Sequence, residues 1–403
     1  MSINVLERIK EVKFPQVFES KRKQLIFKWI VQIVVILQIY AIVLYFMTRS
    51  FAAQAGETVP SFADFNAEIW RGFLSTTTFK ETLIWAFPIL MTAMGATFNE
   101  RAGVINIGLE GIMIFASWAG IFFTYSFGNY WLGLLGAIVF GTLLALVHAI
   151  MTITFKADQI VIGVAINLFA LGLTSVLTAL IWRPGRSDEV QKIDKVNFFE
   201  APIIGPVLKA LRFKNFYDVP VLGDILQFIP DPIGIFNKQN YLLFIGLLLI
   251  PVCHVVLFRT PFGLRIRAIG ENPQAAATAG IPVHRYQYYA VLISGMLASI
   301  GGAFMTMRFG LFTEGTVQGE GFIALVAMIF GKWTIIGSVL AALFFGYFIF
   351  LSSGLKLYGR VSQAIPDPLL KIFPYFIAMI ALALIGKSKA PKHIGKPYEP
   401  AED

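Results

Sequence analysis

The chain is 403 residues long, 57% hydrophobic and only 14% charged, with a formal charge of +9. A soluble domain carries about 25% charged residues, so a water-soluble globule is excluded and lipid must solvate most of the surface. The basic balance then points to the cytoplasmic face of a membrane rather than to nucleic acid.

The one cysteine, Cys253, leaves no intrachain disulfide, and His148, His254, His284 and His393 lack the spacing of metal ligands.

Taken in chain order, residues 1–25 form a basic arm holding Arg8, Lys10, Lys13, Lys21, Arg22 and Lys23. The apolar run behind it, Ile26–Met47, has 22 residues. The apolar core of a signal peptide has about 7–15, so this run reads as a retained span. Further runs of crossing length are Phe79–Phe98, Val104–Phe127, Leu132–Phe155, Gln159–Trp182, Tyr241–Phe258, Tyr286–Met307, Phe312–Phe330, Ile335–Ser353 and Leu369–Ile385. The predicted fold is all-α, a polytopic transmembrane helical bundle of about ten spans. Several runs contain Pro or many Gly, so some spans are expected to be broken or re-entrant. The spans fall into two halves, 26–182 and 241–386, of five each. Between them lies a long loop, 183–240, whose Pro and Phe content suggests a packed subdomain. A tail, 387–403, closes the chain.

Charge tests this parity. With the N-terminus in the cytoplasm, Arg101, Lys156, the Arg259–Arg285 loop and Lys332 all fall on that side. So do Lys387, Lys389, Lys392 and Lys396, whereas Glu57, Asp64 and Glu68 fall on the other. The positive-inside rule therefore places both termini in the cytoplasm.

The cytoplasmic loop 260–284 reads TPFGLRIRAIGENPQAAATAGIPVH. Asn272 is a strong N-cap, Pro273 suits the first helical position and Gly280 suits the residue past the end. The spacing predicts a helix of about two turns over Gln274–Ala279, stopped by Pro282. A helix this short is marginal alone. It reads either as a solvated connector or as an element laid into a groove of a cytoplasmic partner, where small Ala and Thr side chains permit close approach.

Polar groups inside the spans are costly and mark function by default. In ERAGVINIGLEGIMI (Glu100–Ile114), Asn106 and Glu110 are four apart and share a face if the segment is helical. Gly319-Glu320-Gly321 echoes Glu110-Gly111, as an internal repeat would. Asn167 lies mid-span, with Asp158 and Gln159 at the entry to the same span. Asn106, Glu110, Asn167 and Glu320 are taken as pathway residues, although capping and interhelical hydrogen bonds would explain such groups equally well. A lone carboxylate such as Glu110 would also suit a proton-coupled carrier. No phosphate loop is present: Gly386-Lys387-Ser388 has Ala381 where the first glycine belongs. The sequence offers no catalytic residues and no metal or cofactor site.

Four blocks carry a family resemblance: ERAGVINIGLEGIM, KADQIVIGVAINLFALGLTS, RTPFGLRIRAIGENPQAAATAGI and GFIALVAMIFGKW, with a closing HIGKPYE. Together they run in order from about Thr82 to Glu399. They resemble permease subunits of ABC importers in the branched-chain amino acid and simple sugar permease family, with ERAGVINIGLEG most similar to its nucleoside branch. The resemblance implies a non-enzymatic transport subunit in a bacterial cytoplasmic membrane. Its partners would be a second homologous permease, a cytoplasmic ATPase holding ATP and Mg, and an extracytoplasmic substrate-binding lipoprotein. The family's coupling loop maps to Gly263–Gly280, so that Arg267, Glu271, Asn272, Pro273, Ala276, Ala277 and Gly280 are assigned to ATPase coupling. Sugars and branched-chain amino acids are the alternative substrates. The basic arm with its first span and the 183–240 loop depart from the family pattern.

Overall fold

The computed structural model describes residues 75–196, 232–354 and 390–399, with isolated residues between 38 and 70. The predicted spans Ile26–Met47 and Leu369–Ile385, the basic arm and most of the 183–240 loop lie outside the described residues, apart from those isolated positions. The chain forms two compact units, one of Met1–Phe73 with Leu355–Asp367 and one of Leu74–Gly354 with Pro368–Asp403. In the first, the Trp70 indole donates to Gln38 Oε1 at 2.8 Å, and the Tyr45 and Phe62 rings meet edge to face at 5.0 Å. All that follows concerns the second.

Its first helix, α1 (Thr76–Arg101), starts where Ser75 Oγ accepts from the Thr78 N–H. After a break at residues 102–108 come α2 (Leu109–Phe127) and α3 (Tyr130–Ala149), the latter capped by Asn129 and extended by a π-helical turn, Ile150–Thr154. Next is α4 (Gln159–Ile181), whose N-cap is Asp158. Two short strands, β1 (Lys195–Val196) and β2 (Gln239–Asn240), pair antiparallel with Lys195 opposite Asn240; α5 (Pro232–Phe236) lies just before β2. Then follow α6 (Tyr241–Arg259), α7 (Pro261–Glu271), α8 (Pro273–Thr278), α9 (Val283–Met307), α10 (Glu320–Phe330) and α11 (Ile335–Gly354).

Six helices among the described residues are long and apolar enough to cross a membrane: α1, α2, α3 with its π turn, α4, α6 and α9. The chain is a multi-pass helical bundle. Two predicted spans are corrected. The run from Val104 is not helical until Leu109, and Phe312–Phe330 is not one helix. Irregular, non-helical backbone occupies residues 312–319, and α10 has 11 residues, about 16 Å, too short for a 30 Å core.

At the centre α1, α2 and α9 enclose one another. Glycines permit the approach. A Cβ at Gly302 would stand 2.3 Å from the Met113 carbonyl oxygen, and one at Gly301 would stand 2.8 Å from that of Pro88. Small residues set the backbone distance here because lipid supplies no hydrophobic drive between helices. On the rim, α4 turns Val161, Leu168, Phe169 and Leu180 outward.

Candidate functional site

The break at 102–108 is irregular backbone inside the bundle, and its polar groups must be satisfied by protein. Side chains from α3 and α4 do this. Gln159 Oε1 accepts from the Ile105 N–H at 2.7 Å, and His148 Nε2 lies 3.1 Å from the Ile105 carbonyl. Asn167 Oδ1 accepts from the Gly111 N–H at 2.7 Å, while its Nδ2 donates to the Ile107 carbonyl at 3.1 Å. Asn167 thus caps α2 from a neighbouring helix. Asp158, the other polar residue at this entry, caps α4 itself by accepting from the Ile160 and Val161 N–H groups.

Glu110 lies in the first turn of α2, and its carboxylate reaches the start of α10. Oε1 accepts from the Gly319 N–H at 2.6 Å and Oε2 from the Gly321 N–H at 2.7 Å. A carboxylate held between two helix N-termini meets two positive dipole ends and two unpaired donors. That accounts for an acidic side chain only 6% exposed. Contact is close enough that a Cβ at Gly321 would sit 2.7 Å from Glu110 Cα, and Gly319 adopts φ +102 to make the turn. The two Glu-Gly segments that echo each other in sequence therefore touch in space. Glu320 instead turns back, its Oε2 accepting from the Gln318 N–H.

Asn106 is placed differently from the helical expectation. It sits in the break, before α2 begins, so it does not share a helical face with Glu110. Its side chain is fully enclosed and neither amide atom has a hydrogen-bond partner among the described residues.

At the end of the bundle holding loop 260–284, the expected two-turn helix is present as α8. Asn272 Oδ1 accepts from the Ala275 N–H at 3.1 Å, and Pro273 occupies the first turn. Gly280, at φ +79, donates to the Ala277 carbonyl and Ile281 donates to that of Ala276, a Schellman closure. Pro273 and Ala276 face inward, Ala277 is half-buried, and Gln274, Ala275, Thr278 and Gly280 are exposed.

The same loop contains a second helix that the sequence reading missed. Before α8 runs α7, whose N-cap Thr260 accepts from the Gly263 N–H at 3.2 Å, with Pro261 next. The signal was available, because Thr260-Pro261 repeats the cap-then-proline pattern of Asn272-Pro273. α7 buries Ile266 and Ile269 completely and exposes Leu264, Arg265 and Glu271. Arg267 is half-buried, its guanidinium 5.2 Å from the centre of the Phe258 ring.

A further group ties this loop to the break. A Cβ at Gly270 would stand 2.2 Å from the Arg101 carbonyl oxygen, so α7 rests directly on the end of α1. The tail residues 391–399 bridge both: the His393 N–H donates to the Gly270 carbonyl at 2.9 Å, and the Gly395 N–H to the Gly103 carbonyl at 3.0 Å. Tyr398 packs edge-on to His284, and Lys156 pairs with Glu399 at 3.7 Å. Arg101 donates to the Trp333 carbonyl at 2.8 Å, and the Trp333 indole donates to Glu100 Oε2 at 2.6 Å. Loop 260–284, the break and the residues just before α11 are thereby tied together by hydrogen bonds.

Residues 78–383 match the family described as branched-chain amino acid transport system / permease component. The chain is 40% identical over 332 residues to the guanosine ABC transporter permease protein NupQ of Bacillus subtilis, covering 79% of this chain and 94% of that one. It is 35% identical over 328 residues to the nucleoside ABC transporter permease protein NupC of Lactococcus lactis, covering 78% and 94%. Bacillus subtilis also has a more distant relative, the guanosine ABC transporter permease protein NupP, 22% identical over 320 residues, covering 77% and 84%. No solved structure matches the chain.

Proposed function

Since the chain belongs to the branched-chain amino acid transport system / permease component family, we propose that it is the membrane-spanning permease of an ATP-binding-cassette importer of nucleosides. The observation that carries this reading is its 40% identity, over most of both chains, to a permease named for guanosine. The chain is a transport subunit and not itself an enzyme.

Two permeases named for guanosine in one organism, related to this chain at unequal distance, support a second homologous permease as partner. A cytoplasmic ATPase holds ATP and Mg, and an extracytoplasmic lipoprotein delivers the substrate. The chain lies in the bacterial cytoplasmic membrane with about ten spans and both termini inside. Its working divisions are the arm 1–25, the halves 26–182 and 241–386, the outer loop 183–240 and the tail 387–403.

Mechanically, the ATPase engages the exposed side of α8 and moves it. Gly270 on Arg101, and the tail across Gly270 and Gly103, carry that movement to the break beside Asn106. The opposed starts of α2 and α10, joined through Glu110, then shift together and the path changes the side it faces. Asn106, enclosed here with its amide unpaired among the described residues, meets a passing solute once the break shifts; Glu110, Asn167 and Glu320 position backbone around it. Both oxygens of Glu110 already accept N–H groups, which supports this role over a proton shuttle.

The test is uptake into proteoliposomes holding the full complex, with labelled guanosine, glucose and leucine. ATP-dependent uptake of the nucleoside alone is expected. Uptake that follows an imposed proton gradient without ATP, or that favours glucose or leucine, would sink the proposal.

A further inference from the structure

The end of the bundle opposite α8 carries an open cleft of 490 Å³ lined by Lys80, Lys192, Lys195, Lys238 and Arg308. One carboxylate, Glu81, joins them. Three elements bring these cations together. Lys80 lies in the first turns of α1, and Arg308 directly follows α9. Lys192 is held beside Arg308 because the segment 187–193 runs antiparallel to residues 307–312, with the Val190 N–H on the Gly310 carbonyl at 2.8 Å and the Ile193 N–H on that of Met307 at 3.3 Å. Lys195 lies in β1 and Lys238 directly precedes β2, whose Gln239 side chain donates to the Lys80 carbonyl at 3.2 Å.

Among the described residues none of the five forms an ion pair. Lys80 is attracted by Glu81 and repelled by both Lys195 and Lys238, so one carboxylate serves several cations. Like charges gathered in one concavity raise the local anion concentration and are relieved by a bound counter-charge. The rest of the lining is not polar: Ile84 and Phe309 form an apolar wall, and Phe309 is 53% exposed. An apolar wall beside a cationic cluster, at the ends of two membrane-crossing helices, suits a compact anion with an organic body attached. A flat acidic protein surface would reach the outer lysines but would not fill the recess.

We propose that this cleft is a phosphate-binding site, occupied either by the phosphodiester headgroup of an anionic phospholipid in the adjoining leaflet or by a phosphate ester in solution. Lys192, Lys195 and Lys238, all exposed, contact the phosphate; Arg308 and Lys80 set the potential behind it.

The experiment uses the full-length chain and its Lys192→Gln, Lys195→Gln and Lys238→Gln variants, singly and combined, with Arg183→Gln as a control at an exposed cation outside the cleft. Native mass spectrometry compares retention of phosphatidylglycerol with phosphatidylcholine. Calorimetry titrates inorganic phosphate and adenosine monophosphate. Preferential retention of phosphatidylglycerol that falls about fivefold for each lysine removed identifies the lipid source. The same loss in the calorimetric arm identifies a soluble ester. In either case Arg183→Gln binds as the parent does, and thermal melting confirms that the variants fold. If neither probe binds, if the variants bind as the parent does, or if they change only the docking of an extracytoplasmic protein, the proposal is overturned.

Discussion

A buried carboxylate with no cation beside it among the described residues is stabilised here by backbone. Glu110 meets two N–H groups from the start of α10. Removing both acceptors with Glu110→Ala leaves two donors unpaired in a closed site, at a cost of about 2–5 kcal/mol. Glu110→Gln keeps one acceptor and turns a donor against a donor, so it should fall between. Melting of the purified protein by tryptophan fluorescence will order them parent, Gln, Ala; equal melting would mean that the capping contributes nothing. From the sequence, Glu110 stood out because a carboxylate at membrane depth is costly. Its partners did not, since they lie 209 and 211 positions away and are backbone groups that any residue could supply. Asn167 was legible in the same partial way: polar and mid-span, but with its capped turn on another helix.

Elements defined by local chemistry were the legible ones. The cap, proline and closing glycine of α8 lie within nine residues, Asn272 to Gly280, and specify it without tertiary help. The break before α2 was not legible, because ERAGVINIGL is apolar enough to continue a span and its unwinding depends on Gln159, His148 and Asn167 from elsewhere. The structure also decides which side of α8 can meet a partner. Ala276 is 5% exposed and packs inward, so Ala276→Glu will destabilise the chain itself. Ala275→Glu and Thr278→Glu change only the exposed side. Both should leave the melting temperature of the isolated chain near the parent value. In the assembled complex they should lower substrate-stimulated ATP hydrolysis about tenfold, the effect of weakening a contact by ~1.4 kcal/mol. Unchanged hydrolysis in these two variants would exclude α8 as the contact.

At the scale of the molecule, the tail closes a circuit between parts distant in sequence. Its two backbone bonds, to Gly270 and Gly103, tie loop 260–284 to the break. Burial, aided by nearby Lys396, holds the His393 imidazole below its usual value of 6.5, so the docked tail favours the neutral ring. Its contribution is therefore complete above pH 6.5 and declines as pH falls below that value, since the released tail takes up a proton more readily. Hydrogen exchange of the 391–399 amides should be slower at pH 7.5 than at pH 5.5 once intrinsic rates are divided out. His393→Gln should abolish the difference, and a difference that survives in this variant would assign it to another group.

The β1–β2 pair has a practical meaning for those who handle the protein. It brings Val196 and Gln239 opposite each other in one antiparallel register, about 5 Å apart. Chain inserted between two points this close adds little closure cost as it lengthens. A small fluorescent or epitope-bearing domain whose own ends lie close together could be spliced between them. The resulting fusion would report, in intact cells and without permeabilisation, which compartment that end of the bundle faces.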